Sequence, residues 1–181
     1  MEAGTLDRAA TAARAAAAEL ALILLDLNMP GATGYSGVAL LHAEAPDVPI
    51  LVISSADLAA AGPQVARFGA IGMIGKDESL AAIEAAIAAA LAGERMPADA
   101  DAGDGEVAHR VASLTPTQLR VLLGVLAGRL NKQIAFDLGI SEATVKTHMT
   151  AVLRKLDVGN RTQAALAARA LGLDTGVADR G

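Results

Sequence analysis

The sequence predicts two modules of different class: an α/β module with a doubly wound parallel sheet, followed by an all-α module of four helices. Between residues 1 and 93, short continuous apolar runs alternate with helical segments, which is typical of a parallel sheet covered on both faces. Residues 110–173 show apolar positions at helical spacing. A stretch rich in Gly, Ala and Asp (94–109) predicts a flexible acidic linker between the modules, and 174–181 form a tail.

The elements of the α/β module follow in order from the pattern. Helices are predicted over 3–19, 35–45, 57–67 and 79–93, and strands over 21–25, 49–55 and 70–74. Ser79 is the expected N-cap of the last helix, and Gly93 follows its end. In open parallel sheets, sites lie beyond the carboxyl ends of the strands. Asp26, Ser54 and Lys76 all fall at such ends and are expected to share one crevice.

The all-α module begins with a helix-start signature. Thr115, Pro116 and Gln118 fit the N-cap, N1 and N3 positions of a helix that Gly128 ends. A short second helix runs from Asn131 to Gly139, the third begins after Ser141, and the fourth covers 160–173. Two helices joined by a tight turn containing glycine form a helix-turn-helix.

The third helix of this module has two distinct faces. Its apolar stripe consists of Val145, Met149, Val152, Leu153 and Leu156,. Its opposite face carries Lys146, Thr147, Thr150 and Arg154. Cations beside small hydroxyl groups suit a reader of the DNA major groove. On the charge pattern alone, an ordinary solvated helix is an equally good interpretation.

Charge is divided unevenly between the modules. Residues 1–109 carry 15 acidic and five basic side chains, whereas 110–172 carry three acidic and nine basic ones, within a net charge of −5. A cationic C-terminal module indicates a polyanion as its partner.

Composition excludes several other classes of protein. The chain has no cysteine, and its three histidines lie far apart, so disulfides are excluded and a zinc site is not expected. No apolar run approaches the roughly 20 residues of a membrane span, and no signal peptide is recognisable. A P-loop and a Gly-x-Ser-x-Gly motif are also missing, so no enzyme activity is expected. We expect a soluble, cytoplasmic protein that is not bound to a membrane.

The segment "LLDLNMPGATG" resembles the phosphoacceptor strand and loop of receiver domains in bacterial two-component response regulators. Ser54 and Lys76 follow Asp26 by 28 and 50 residues, which fits the receiver spacing. The resemblance implies that Asp26 is the phosphoacceptor, that Ser54 is the switch hydroxyl, that Lys76 binds the phosphate, and that a sensor histidine kinase is a possible partner. A carboxylate can act as a nucleophile toward a phosphoryl group. The alternative is that Asp26 only caps a turn and Lys76 is solvated.

The resemblance also predicts an incomplete receiver. Only 25 residues precede Asp26, so the first strand, the first helix and most of the second strand of the family are expected to be missing. The acidic pair that helps receivers bind Mg²⁺ would be missing too, leaving Asp26 and the carbonyl of Asn28 as the metal ligands. We therefore expect doubtful Mg²⁺ binding and impaired phosphorylation. Because receivers order their strands 2-1-3-4-5, residues 21–26 should form an exposed apolar edge that favours association between chains.

The C-terminal sequence "LTPTQLRVL…NKQIAFDLGISEATVKTHMTAVLRKL…NRTQAALAA" resembles the LuxR/FixJ-type (NarL-like) DNA-binding domain over about 60 residues. By this resemblance Lys146, Thr147 and Thr150 face double-stranded DNA. Lys132, Arg154 and Lys155 are then expected near phosphates. The last helix often forms the dimer contact in this family, although packing within the module would explain part of its apolar face.

The sequence therefore predicts a DNA-binding response regulator that controls transcription as a homodimer. The alternative is a signalling interaction protein whose receiver remnant binds a kinase or another receiver, with DNA binding secondary.

Overall fold

The structure, a computed structural model, describes residues 1–96 and 106–173. The N-terminal half alternates helices and strands: α1 (Leu6–Ala16), β1 (Ile23–Leu25), α2 (Ser36–Glu44), β2 (Ile50–Ser54), α3 (Leu58–Arg67), β3 (Gly72–Gly75) and α4 (Leu80–Leu91). This order confirms the predicted α/β class. The helix predicted over 3–19 is shorter at both ends, and the third strand lies slightly later than predicted.

The three strands form a parallel sheet in the order β1-β2-β3. Side chains alternate between its two faces. Ile50 and Val52 of β2 pack in the cluster that includes α1, α2 and α3, whereas Leu51 packs with Ala86 and Ala90 of α4. Both faces of the central strand are thus buried, which accounts for its continuous apolar sequence.

The first strand, β1, lies at one edge of the sheet. Among the described residues it pairs with β2 alone, with Ile23 opposite Ile50 and Leu25 opposite Val52. Leu25 is buried, but the side chain of Leu24 is 48% exposed. Within the described part of the chain β1 is thus an edge strand, and it is shorter (Ile23–Leu25) than the strand predicted over 21–25.

The C-terminal half is helical over its described residues. It contains α5 (Glu106–Ala112), α6 (Pro116–Leu126), α7 (Asn131–Leu138), α8 (Glu142–Leu156) and α9 (Arg161–Ala170). At the start of α6 the Thr115 hydroxyl accepts the Gln118 N–H, and the Gln118 side chain accepts the Thr115 N–H. Gly139 ends α7 with a positive φ of 64°, a conformation that glycine adopts without steric strain.

One boundary needs correction. Helix α5 begins at Glu106, inside the segment 94–109 that the sequence predicted as a linker; the four predicted helices correspond to α6, α7, α8 and α9, and α5 precedes them. The helix is held by tertiary contacts, because Ala108 and Val111 are buried and Arg110 donates a hydrogen bond to the Leu156 carbonyl of α8 (3.1 Å). Residues 97–105 of the predicted linker and the predicted tail 174–181 lie outside the described residues.

The two halves pack against each other through α2 and α6. Glu44 at the end of α2 is buried, and its Oε1 lies 2.7 Å from Nη2 of Arg120 on α6, an ion-pair contact without hydrogen-bond alignment. The Tyr35 N–H, just before α2, donates to the Gly172 carbonyl after α9 (3.0 Å). The buried cores of the two halves are consequently continuous.

Candidate functional site

Asp26 lies directly after β1, at the carboxyl end of the sheet, and both of its carboxylate oxygens have partners. Lys76 Nζ is 2.5 Å from Oδ2, and the Asn28 N–H donates to Oδ1 at 3.0 Å. The hydrogen bond from Lys76, reinforced by the Asn28 N–H and by the positive charge of Lys76, lowers the pKa of Asp26 despite an opposing effect of burial,. Asp26 is therefore held as an ionised carboxylate, the form that a nucleophile requires.

Ser54 ends β2 one strand away. Parallel pairing places it opposite Gly75 of β3, and its carbonyl accepts the Lys76 N–H (3.0 Å). Its hydroxyl accepts the Ala56 N–H (3.2 Å), and the residue is only 1% exposed. The structure thus joins Asp26 to Lys76 through their side chains and ties the Lys76 backbone to Ser54.

The predicted metal ligands are Asp26 and the carbonyl of Asn28. Across residues 1–96 and 106–173, no three carboxylate or histidine side chains are arranged to hold a metal ion. Mg²⁺ is usually bound through one or two carboxylates and several waters, and both oxygens of Asp26 already have donor partners.

The second candidate site is the outer face of α8. Its inner face is buried against the other helices through Val145, Met149, Val152 and Leu156. The outer face exposes Lys146, Thr147, Thr150 and Arg154. At the start of α8 the hydroxyl oxygen of Ser141, the N-cap residue, accepts the Thr144 N–H (3.1 Å), which confirms the predicted start of this helix. Helix α8 packs on α5, α6, α7 and α9, so the exposed face is turned away from the body of the module.

The two exposed threonines are oriented by bonds within α8. Thr147 Oγ1 donates to the Ala143 carbonyl (3.1 Å), and Thr150 Oγ1 donates to the Lys146 carbonyl (3.0 Å). Each hydroxyl oxygen keeps lone pairs that can accept a further hydrogen bond. These threonines therefore offer fixed acceptors and methyl groups to a partner of the helix.

The remaining cations differ in their surroundings. Lys132 is exposed near the start of α7. Lys155 is only half-exposed, and its Nζ donates to the Ser113 carbonyl between α5 and α6 (2.6 Å). Lys155 thus has a structural partner, and its expected phosphate contact stays a prediction.

Two features of this module were not predicted from the sequence. Arg110 links α5 to the end of α8. The hydrogen bond from Arg110 to Glu106 raises the pKa of Arg110 above its ordinary value, and the nearby carboxylate of Asp157 acts in the same direction. The i,i+4 spacing of Glu106 and Arg110 is the signal that could have revealed this helix. Phe136, four residues after Lys132 on α7, is 88% exposed, and no sequence pattern marked it as a surface residue.

The chain couples a parallel-sheet module, which has a carboxylate and a lysine at the carboxyl end of its sheet, to a helix-turn-helix module whose third helix has an exposed outer face, and this combination defines its class. Two family profiles match the chain, "Response regulator receiver domain" over residues 2–88 and "Bacterial regulatory proteins, luxR family" over residues 112–168. The chain is 39% identical to the glycerol metabolism activator of Pseudomonas putida, over 83% of this chain and 74% of the relative.

It is also 37% identical to the transcriptional regulatory protein LiaR of Bacillus subtilis (strain 168), over 80% of this chain and 72% of that protein. A solved response regulator, ChrA of a heme-sensing two-component system, is 33% identical over 84% of this chain and 77% of its own, with a TM-score of 0.34. The sequence matches, rather than this superposition, establish the family.

The chain belongs to the response regulators that carry a receiver domain and a LuxR-type DNA-binding domain. Members of this family are regulators of transcription. Within the described residues, no helix is both long and apolar enough to cross a bilayer.

Proposed function

We propose that this response regulator controls transcription by placing α8 in the major groove of double-stranded DNA. The observation that carries the proposal is the exposed face of α8, where Lys146, Thr147 and Thr150 stand together on a helix whose other face is buried. Lysine and threonine side chains donate to and accept from base edges in that groove. Arg154 and Lys132 are proposed to contact phosphates on either side, with Lys155 as a further candidate.

The arrangement of the two halves supports access of DNA to this face. The N-terminal half contacts α6 through α2, and α3 approaches α5, while the reading face of α8 is exposed. DNA binding is therefore proposed not to require separation of the halves. The exposure of this α8 face also favours DNA binding as the main function over the alternative of a signalling interaction protein in which DNA binding is secondary.

Phosphorylation of Asp26 is proposed to be weak. Asp26 is ionised and next to Lys76, as the acceptor role implies. The described side chains, however, do not gather the oxygen ligands of a Mg²⁺ site. A divalent cation stabilises the charge on a phosphoryl group in transfer, and without such a site little transfer is expected. A sensor kinase is thus proposed as a binding partner of the N-terminal half rather than as an efficient phosphate donor.

We further propose that the regulator acts on DNA in the cytoplasm as a homodimer. Helix α9 offers one surface for this, because Leu166 is 61% exposed on it while Ala164 and Ala168 pack inward. A dimer with twofold symmetry would read two DNA half-sites about one turn of the double helix apart.

Electrophoretic mobility shifts with a promoter duplex and a random duplex test the reading role of α8. Lys146→Ala should weaken specific binding by about 1–3 kcal/mol and relax sequence preference, because it removes a base-edge contact. Arg14→Ala, which removes an exposed cation from α1, is the matched control and should leave the preference unchanged. Unaltered specific binding by Lys146→Ala would remove α8 from the interface.

A further inference from the structure

The two exposed threonines of α8 have already used the only proton of their hydroxyl groups. Thr147 gives its proton to the Ala143 carbonyl (3.1 Å), one helical turn earlier. Thr150 gives its proton to the Lys146 carbonyl (3.0 Å) in the same way. A threonine hydroxyl has one proton and two lone pairs, so both oxygens can accept a hydrogen bond from a partner but cannot donate one. In the middle of the exposed α8 face, Lys146 is the donor and the two threonines are acceptors.

The same bonds also hold the threonine methyl groups in place. The hydroxyl and the methyl group of threonine share Cβ, so a hydroxyl that is bonded to a carbonyl fixes the methyl group too. Residues four apart on a helix are neighbours on one face, and Ala143 and Thr147 are both exposed. We call these two side chains the methyl patch. Thr150 follows Lys146 by one turn instead, so its neighbour on the face is a cation.

The base pairs of DNA differ in what they offer to the methyl patch. In the major groove an A·T pair presents the amino group of adenine, which is a donor, and the C5 methyl group of thymine. A G·C pair presents the amino group of cytosine but no methyl group, and guanine presents two acceptors there. A threonine without a free proton cannot bond those acceptors, and an apolar contact with a methyl group is favourable. The methyl patch therefore matches A·T better than G·C.

We propose that Thr147, together with the methyl group of Ala143, selects an A·T pair in each half-site by contact with the thymine methyl group. Lys146 has protons to donate and suits the acceptors of a neighbouring base pair, so the two residues read different positions. This inference rests on the proposed function, since it requires α8 to lie in the major groove. It adds a base identity to one position of the DNA site.

Deoxyuridine in the DNA tests the contact directly, because it lacks the methyl group of thymine and still pairs with adenine. The full chain is first used to select a duplex from a random-sequence pool, and each thymine of that duplex is then replaced singly by deoxyuridine. At a fixed salt concentration, one replacement in each half-site should weaken binding by about fourfold, the effect of one buried methyl group. Binding that is insensitive to every replacement would overturn the proposal.

Two variants separate the methyl group of Thr147 from its hydroxyl. Thr147→Ser removes the methyl group, so it should bind the selected duplex about fourfold more weakly and lose the response to deoxyuridine. Thr147→Val keeps a methyl group and should retain the response. Thr11→Ser is the matched control, because Thr11 is exposed on α1 and also donates to a carbonyl four residues earlier, that of Asp7 (2.9 Å). A Thr147→Ser variant that responds to deoxyuridine as the parent does would overturn the proposal.

The Lys146→Ala variant separates a failure of this inference from a failure of the proposed function. If Lys146→Ala binds the selected duplex as tightly as the parent, α8 is not the reading helix, and both proposals are wrong. If Lys146→Ala binds weakly while no thymine responds to deoxyuridine, α8 reads the DNA and the thymine contact alone is wrong. Loss of the deoxyuridine response in Thr147→Ser, with Thr11→Ser unchanged, is the result that supports the contact.

Discussion

Lys76 Nζ and Asp26 Oδ2 lie 2.5 Å apart, although 50 residues separate them in the chain. The contact exists because parallel pairing of the strands brings the ends of β1 and β3 to one edge of the sheet, on either side of Ser54. The family resemblance implies that Lys76 would hold the oxygens of a phosphorylated Asp26, which stays a prediction. The pair is nevertheless partly exposed, so its role lies in the chemistry of the carboxylate more than in stability.

The first prediction concerns the ionisation of Asp26. Replacing Lys76 with Met should raise the pKa of Asp26 toward the ordinary value of 3.8, because the principal hydrogen bond that lowers it is removed. Titration of the Asp26 carboxyl carbon by NMR measures this directly. Since the folded-state pKa lies below the unfolded one, the ionised carboxylate adds stability above the ordinary pKa. That contribution, at most about 1 kcal/mol for an exposed pair, is lost as the pH falls through the lowered pKa. An unchanged titration curve would show that Lys76 does not bond Asp26.

The second prediction concerns phosphate transfer. With acetyl phosphate and Mg²⁺, the chain should incorporate little phosphate within minutes, because both oxygens of Asp26 are engaged by donors and no three carboxylate or histidine side chains are grouped to hold a metal ion among the described residues. Asp26→Asn and the parent should then bind DNA with nearly equal affinity. Phosphate-affinity electrophoresis gives the readout. A strong shifted band that disappears in Asp26→Asn would contradict this and would mean that other carboxylates supply the metal ligands.

A third prediction separates two neighbouring cations at the end of α8. Arg154→Ala should lower the salt slope of DNA binding by about one, because its exposed guanidinium is proposed to contact a phosphate. Lys155→Met should instead reduce the free energy of unfolding by about 1 kcal/mol, because it removes the hydrogen bond to the Ser113 carbonyl,. Salt titrations of binding and urea denaturation provide the two measurements. If Lys155→Met changed the salt slope and left stability intact, Lys155 would be a phosphate contact, as the family resemblance implies.

The fourth prediction concerns the ion pair between the halves. The Glu44 side chain is 1% exposed beside Arg120, so Arg120→Met should lower the free energy of unfolding by about 3 kcal/mol, since an unpaired charge would be left buried. Arg129→Met breaks the exposed pair with Asp137 and should cost at most about 1 kcal/mol. Urea denaturation of the two variants compares a buried pair with an exposed one of the same chemistry. Equal effects would show that the α2–α6 contact is solvated.

Local signals in the sequence were enough for much of this structure. The helix ends at Thr115, Ser141 and Gly139 are set by neighbouring residues, and the structure confirms them. The contact between Asp26 and Lys76 follows from the alternation of strands and helices, and the structure confirms it as well. The start of α5 was missed because the short helix is held largely by contacts with α8, and its own signal is limited to the spacing of Glu106 and Arg110. The pairing of Glu44 with Arg120 could not be foreseen, because it depends on how two separately patterned modules meet. Whether the named residues bind phosphate or DNA stays a prediction.

The contact between α2 and α6 also has a consequence for how this protein could exchange parts with its relatives. Recombination between genes of this family could transfer the helix-turn-helix half as a unit, including the exposed face of α8. A chimera of this N-terminal half with a foreign output domain would still carry a buried Glu44, and it would need an arginine at the position of Arg120 to neutralise it. Without that arginine, such a chimera is expected to have a lower free energy of unfolding.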